Sequence, residues 1–332
     1  MSRSAGTTAR PDAHGAPGLP VVRTVVRRVL TRMFGPPPFD ASRAPGDPGL
    51  TGPGSPSWRV IGEPAAIAGG IRGLLVQVSH PLAMAGVADH SAFREDPLGR
   101  LQRTSAYVTT STFGSVPEAI AVLRRVRAVH PRVVGTAPDG RPYRGDDPDL
   151  LTWVSIALTS SFLDAHRRWS PDALTDVEAD RFVAEQSRIA ALLDPRVELT
   201  VLEGEGAAEL RAGGLDARLP LIADGLLPTD VPALEATLAR FLPELGIDAQ
   251  GRDALAFLRW PPIPRSARAG YQVLLAGAVG SLGPELRRAL EFDLSERAAR
   301  LAVRQAGLAL RAMRLATGTS PSMHAAWDRV SA

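Results

Sequence analysis

The stretch "DPDLLTWVSIALTSSFLDAHRRW", residues 147–169, sets the expected fold class. An aspartate directly before a proline is a typical helix start. Its carboxylate accepts hydrogen bonds from the free amides of the first turn, and the proline ring already holds a helical φ. Asp147-Pro148 therefore predicts a helix through this apolar segment. Asp96-Pro97 is a second pair of this kind and predicts a helix to about Phe113.

Helix signals continue along most of the chain. "TDVE", residues 175–178, has the spacing of a capping box and predicts a helix to about Leu193. Pro117-Glu118 suits the first turn of another helix, which follows a break at Gly114-Ser115. Further helices are predicted for residues 21–34, 64–88, 231–245, 251–260, 265–280, 284–292 and 295–316. The weak alternation of "RVELTVL", residues 196–202, favours a short strand.

Together these signals predict an all-α fold, a single globular domain of about ten helices. Strands and helices do not alternate, and the sequence has no GxGxxG or Walker motif, so a dinucleotide-binding or P-loop fold is not expected. The absence of a GxSxG elbow likewise argues against an α/β serine hydrolase.

Composition limits the possible cofactors. The 332 residues contain no cysteine, which excludes disulfides, thiolate-ligated haem, iron–sulfur clusters, c-type haem and cysteine zinc sites. The remaining candidate ligands include six histidines, which are His14, His80, His90, His130, His166 and His324. All 38 basic residues are arginine, yet the net charge is only +3 and the charges are interspersed, so no nucleic-acid partner is expected.

Composition also divides the chain. Residues 1–20 have the composition of a disordered segment and lack the apolar region of a secretory signal, so the expected compartment is the cytoplasm. Residues 21–34 form a basic amphipathic helix that is expected to pack on its own domain, with contact to a membrane surface as the alternative. Residues 35–57 are a Pro/Gly linker. The predicted divisions are an N-terminal extension over 1–57, a helical domain over 58–316 and a C-terminal tail over 317–332.

The apolar segment 64–88 favours a buried core helix over a membrane span. It contains Arg72, Gln77 and His80, and it is interrupted by Pro81. We expect His80, at the end of this helix, to be buried.

The segment "RRVRAVHPRV", residues 124–133, places one imidazole among four arginines. His130 follows Leu123 and Val126 at helical spacing, which predicts that it lies on the apolar stripe and faces inward. The simplest interpretation is a buried histidine that is bonded to a backbone carbonyl. The alternative is a neutral imidazole that ligates a metal ion or a haem iron. Pro131 predicts that the helix kinks or ends here.

A second candidate site lies on the helix that begins at Pro97. Arg100, Arg103 and Thr104 share one face with Tyr107 and Ser111. Two guanidinium groups and a hydroxyl suit an anion, and haem propionates are one such partner. The alternative is a solvated face with a few surface ion pairs.

Taken together, the motifs resemble a known family. They are "GGIRGLLVQVSHPLAMAGVADHSAF", "DPLGRLQRT", "FG", "VRAVH", "VVGTAPDGRPYRGDDPDLLTWV" and "AGYQVLLAGAVGSLGPELRRAL", in this order, over about residues 58–292. The chain in this respect is similar to the catalytic domains of the MpaB and rubber-oxygenase (latex clearing protein) family. The resemblance implies an all-α, globin-like domain that binds haem b and cleaves isoprenoid double bonds with O₂.

The resemblance also implies roles for particular residues. His130 matches the proximal iron ligand, Arg100, Arg103 and Thr104 match residues that line the haem site, and Gln77, His80 and Pro81 match residues near the pocket. Three positions differ from the family. Rubber oxygenases have a lysine where this chain has Arg103. They also have a carboxylate in the region that is apolar around Met84 here. Relatives often have a histidine where this chain has Ser155.

The expected function is therefore a haem b-dependent oxygenase that acts on a small apolar substrate, with O₂ as the second substrate. One alternative is a non-catalytic haem carrier or gas sensor. Another is a cofactor-free helical protein that binds a lipid or a partner protein. A third is a non-haem iron site with His80, His130 and a carboxylate.

Overall fold

Helices account for most of the computed structural model, which describes residues 20–91 and 94–332. The disorder predicted for residues 1–20 lies, apart from Pro20, outside the described residues. The described chain forms sixteen α-helices: α1 Pro20–Phe34, α2 Pro56–Gly62, α3 Ala65–Val78, α4 Pro81–His90, α5 Pro97–Phe113, α6 Val116–Val129, α7 Pro148–Trp169, α8 Asp176–Ala191, α9 Gly206–Ala212, α10 Pro220–Ala223, α11 Val231–Phe241, α12 Ala249–Arg259, α13 Arg265–Ser281, α14 Pro284–Ala289, α15 Glu296–Thr317 and α16 Pro321–Ser331.

The all-α prediction is confirmed, and the predicted caps form as expected. The Asp147 carboxylate accepts hydrogen bonds from the amides of Asp149 and Leu150, and α7 follows it. Asp96 caps α5 in the same way. The capping box predicted at Thr175 forms with Glu178 at the start of α8. Side chains that satisfy the free amides of a first turn are thus the most dependable signals in this sequence.

The predicted number of helices was too low. The helices α2, α9, α10 and α16 were not predicted, because three of them have only four to seven residues and are too short to show a period. The segment "RVELTVL" contains a 3-10 turn, Leu199–Leu202, where a strand was expected. A short antiparallel hairpin, with β1 Val134–Thr136 and β2 Pro142–Arg144, was also missed.

Helices α3 and α7 pack closely in the core. Gly69 and Gly73 of α3 face α7, where a Cβ on Gly69 would lie 3.1 Å from the Cα of Phe162. A Cβ on Gly73 would lie 2.9 Å from the Leu158 side chain. Helix α13 packs on α3, and α15 packs on α13 and α1. The apolar segment 64–88 is thus a core element, divided at Pro81 into α3 and α4.

The chain on both sides of the predicted helical domain is part of its packing. Residues 317–332, predicted to be a tail, contain α16, whose Arg329 is fully buried. Its Nε donates to the Asp47 carbonyl at 2.9 Å, and its Nη1 donates to the Phe113 carbonyl at 2.7 Å. The segment predicted as a linker, residues 35–57, is thereby held against α5 and α16.

The basic helix predicted over residues 21–34 is confirmed as α1, and it packs against α15 and α5. Within residues 20–91 and 94–332, no helix combines the length and the apolarity that are needed to cross a bilayer.

The close approach of α3 and α7 predicts opposite effects for two neighbouring glycines. Gly69→Ala should destabilise the fold by about 1–2 kcal/mol, because overpacking outweighs the gain in helix propensity. Gly70→Ala is the matched control, since its Cβ would meet only Phe162 Cε1 at 4.0 Å, and it should be neutral or stabilising by up to about 1 kcal/mol. Urea unfolding of both variants measures the difference, and equal stabilities would contradict this packing.

Arg329→Leu should lower the free energy of unfolding by at least about 2 kcal/mol, because it leaves the buried Phe113 carbonyl and the half-buried Asp47 carbonyl without a donor. Arg218→Leu, at an exposed position, should change it by less than about 0.5 kcal/mol. Thermal and urea unfolding followed by circular dichroism give both values. An Arg329→Leu protein as stable as wild type would show that α16 is not part of the core.

Candidate active site

A cavity of about 350 Å³ opens between α4, α5, α6, α7, α8 and the hairpin. Its volume is within the range of small-molecule sites, roughly 300–1,000 Å³. Most of the wall is apolar, and includes Leu82, Val87, Val108, Val133, Leu150, Leu151, Val154, Leu158, Phe162, Ile189 and Leu193. Polar groups are few, so each one has a strong influence on what the cavity can bind.

His130 reaches this cavity because α6 ends one residue before it. The chain continues as a 3-10 turn, His130–Arg132, so the predicted end of the helix at Pro131 is confirmed. Proline was expected to keep His130 out of the α conformation, but its φ of −53° and ψ of −44° remain helical. The 3-10 turn tightens the helix end and thus accommodates the proline.

The His130 ring is partly buried and forms no hydrogen bond with the described residues. Its Nδ1 is buried without a partner, so the backbone-carbonyl bond of the simplest interpretation is not formed. Burial lowers the pKa of the ring, and nearby Asp146 only partly offsets this. His130 therefore presents a neutral imidazole with unused nitrogen lone-pair capacity.

Arg100 lies on the cavity wall, where its Nε donates to the Ser91 hydroxyl at 2.9 Å. Burial lowers the pKa of its guanidinium, and the charge of Arg103 lowers it further. Among residues 20–91 and 94–332, no carboxylate forms an ion pair with Arg100. A partly buried arginine without an acidic partner is a strong site for an anionic ligand.

Arg103 and Thr104, which the sequence placed on the same face, do not line the cavity. Arg103 is exposed and forms an ion pair with Asp96 at 3.1 Å. The Thr104 hydroxyl donates to the backbone carbonyl of Arg100 at 3.1 Å. Of the predicted anion-binding trio, only Arg100 is directed into the cavity.

Gln77 and His80 also lie outside the cavity wall. His80 is buried as expected, with its ring 5.4 Å from Trp153 and 5.9 Å from Phe241 between centroids. Its Nδ1 accepts from the amide of Ala83 and so caps α4. The Nε2 of Gln77 is buried without a partner. The structure thus places His130 and Arg100 on the wall of one cavity, and leaves Gln77 and His80 outside that wall.

Three further residues of the wall were given no role in the predicted site, and one of them, Tyr143, was not predicted at all. The Tyr143 hydroxyl donates to Asp89 at 2.6 Å, and burial together with this bond raises its pKa to about 12. The Nε2 of His90 donates to the Val134 carbonyl at 3.0 Å. The Tyr107 hydroxyl has no hydrogen-bond partner in the described chain, and burial raises its pKa. The Asp139-Gly140 turn is a hairpin signal that would have found Tyr143 and its strand.

The family differences can now be located. Ser155 is part of the cavity wall, whereas Met84 is buried away from it. No aspartate or glutamate is among the described residues of the wall. The described chain also has no cluster of three or more His, Asp or Glu side chains that would suit a metal ion.

The comparison with known proteins identifies a family. A family model for the catalytic domain of ER-bound oxygenase mpaB/B′ and rubber oxygenase matches residues 58–313. No curated protein and no solved structure matches the chain significantly. The matched range begins in α2, includes every element of the cavity wall and extends into α15. The chain therefore belongs to the mpaB/rubber-oxygenase family of oxygenase catalytic domains, as its motifs predicted.

Proposed function

We propose that this protein is a haem b-dependent oxygenase that uses O₂ to oxidise a small apolar substrate. Membership of an oxygenase family supports the reaction class. The observation that supports haem as the cofactor is the neutral His130 imidazole. It lines an apolar cavity and has no hydrogen-bond partner in the described chain.

The residues present fit a haem group. An imidazole ligand for the iron, an apolar space for the porphyrin and a cation for the propionates are the usual requirements. His130 would supply the first, and Arg100 with Ser91 would supply the third. The aliphatic wall from α4, α7 and α8 would contact the porphyrin. When bound, haem would supply the activation of O₂, which no side chain of this chain can perform.

The other residues would prepare the site. The apolar wall excludes water and favours a hydrocarbon substrate over a polar one. The Tyr107 hydroxyl stays protonated because burial raises its pKa, so it can donate a hydrogen bond into the cavity. Val154, which is 38% exposed, lies at the mouth and would be among the first residues that a substrate meets.

His130→Gly should abolish stoichiometric haem binding, because the imidazole that would hold the iron is lost, and free imidazole should restore part of it. His90→Gln is the control, since His90 lines the same cavity but donates to the Val134 carbonyl. The Soret spectrum and the haem content of the purified proteins give the answer. A His130→Gly protein with the wild-type spectrum, without imidazole, would eliminate His130 as the ligand.

Arg100→Gln should weaken haem binding at least about tenfold, because a charge-assisted hydrogen bond to a buried anion contributes roughly 1.5–3 kcal/mol. Arg103→Gln should bind haem as the wild type does, since Arg103 faces solvent. Haem dissociation rates and O₂ consumption are measured for both. Equal rates for the two variants would remove Arg100 from the site.

Haem binding without O₂ consumption in the wild type would favour a carrier or sensor.

A further inference from the structure

Helix α15 has a row of exposed leucines. Leu301, Leu308 and Leu315 are 56%, 65% and 59% exposed, and they follow one another at intervals of seven residues. Seven residues are almost two helical turns and about 10.5 Å of axial rise, so the row runs roughly 21 Å along one side of the helix. The opposite side, with Ala306 and Leu310, is buried on α13, which fixes the leucine row towards solvent.

Arginines flank this row at regular positions. Arg297, Arg304 and Arg311 each lie three or four residues from a leucine, on the same exposed side of α15. In the described part of the chain, none of the three has a carboxylate partner. Arg314, nearer the inner side, is paired with Glu63 at 2.9 Å. The exposed side is therefore both apolar and uniformly positive.

The neighbouring helix adds to this charge. Helix α1 lies against α15, and its Arg27 donates to the Thr317 carbonyl at 3.4 Å. Arg28 and Arg32 of α1 are exposed. The only acidic residue of α15, Glu296, is engaged by Arg287. A protein with a net charge of only +3 thus has exposed arginines beside the leucines of α15 and further exposed arginines on α1.

We propose that the outer side of α15 docks on the surface of an anionic lipid bilayer. Leucines at this spacing can enter the boundary between headgroups and acyl chains, while the flanking arginines contact lipid phosphates and carboxylates. The charge favours this occupant over a second copy of the chain. A symmetric dimer through the leucine row would bring the same unpaired arginines close to one another, where like charges repel.

The test is co-sedimentation of the full 332-residue chain with vesicles of phosphatidylcholine alone or mixed with phosphatidylserine. We expect binding to the mixed vesicles only, and loss of binding when salt is raised to about 1 M, where the Debye length falls to about 3 Å. Leu301→Ser/Leu308→Ser/Leu315→Ser should weaken binding at least about tenfold, because each leucine loses its apolar contact. Arg297→Gln/Arg304→Gln/Arg311→Gln should weaken it roughly a hundredfold, at about fivefold per arginine.

The matched control removes the same charge elsewhere. Arg124→Gln/Arg125→Gln/Arg218→Gln replaces three exposed arginines on other surfaces and should weaken binding less than about threefold. All substitutions are at exposed positions, and circular dichroism verifies that each variant is folded. The proposal is overturned if the wild type ignores the anionic vesicles, or if the control loses as much binding as the α15 variants. It is also overturned if light scattering shows a wild-type dimer that the leucine variant dissociates.

Discussion

The close contact between α3 and α7 is the constraint on which both the fold and the site depend. Two glycines let the backbones approach, and the residues that they meet on α7 include Phe162 and Leu158. Both of these side chains also line the cavity. A larger residue at Gly69 would therefore shift the cavity wall as well as the core, because a close-packed interior transmits displacement. Stability and substrate space are set by the same contact.

At the cavity, one polar side chain lacks an ion-pair partner and another lacks a hydrogen-bond partner within the described residues. Arg100 has a hydroxyl neighbour and no acidic partner in the described residues, and His130 keeps a buried nitrogen without a hydrogen bond. Burying such groups costs free energy unless a ligand completes them. Unpartnered buried atoms also occur away from the cavity, as at Gln77 Nε2 and His166 Nδ1, but those residues do not line a cavity of this size. At the cavity, the unpartnered His130 nitrogen and the Arg100 guanidinium border space that a ligand could fill, which is the basis of the proposed haem site.

How much could be predicted from sequence depended on the range of the interactions. Asp147, Asp96 and Thr175 act on amides two or three residues away, so their helices were predicted correctly from local spacing. The division of the polar face of α5 could not be predicted, because Arg100 and Arg103 differ only in what lies opposite them. Arg100 faces Ser91 and the cavity, whereas Arg103 faces Asp96 and solvent.

His130 shows the same limit in a different form. Its helical spacing suggested an inward direction, and Pro131 predicted the end of the helix, but the sequence did not show that the ring would border a cavity. Pro131 ends the helix there, and the ring instead borders a cavity whose other walls come from residues up to 193. Only the tertiary arrangement of α4, α7 and α8 creates that space. The family motifs found the residue, whereas the physical reason for its exposure to the cavity required the fold.

The hydrogen bond from Arg329 to Asp47 joins residues that are 282 positions apart. At a ribosomal rate of 5–20 residues per second, roughly 15–55 s pass between the synthesis of Asp47 and the synthesis of Arg329. During that interval the Asp47 carbonyl, and the Phe113 carbonyl once it has been synthesised, lack their donor, and the apolar surface that α16 later covers is open to water. Newborn chains of this protein are thus exposed to aggregation for far longer than a helical fold made of local contacts would be.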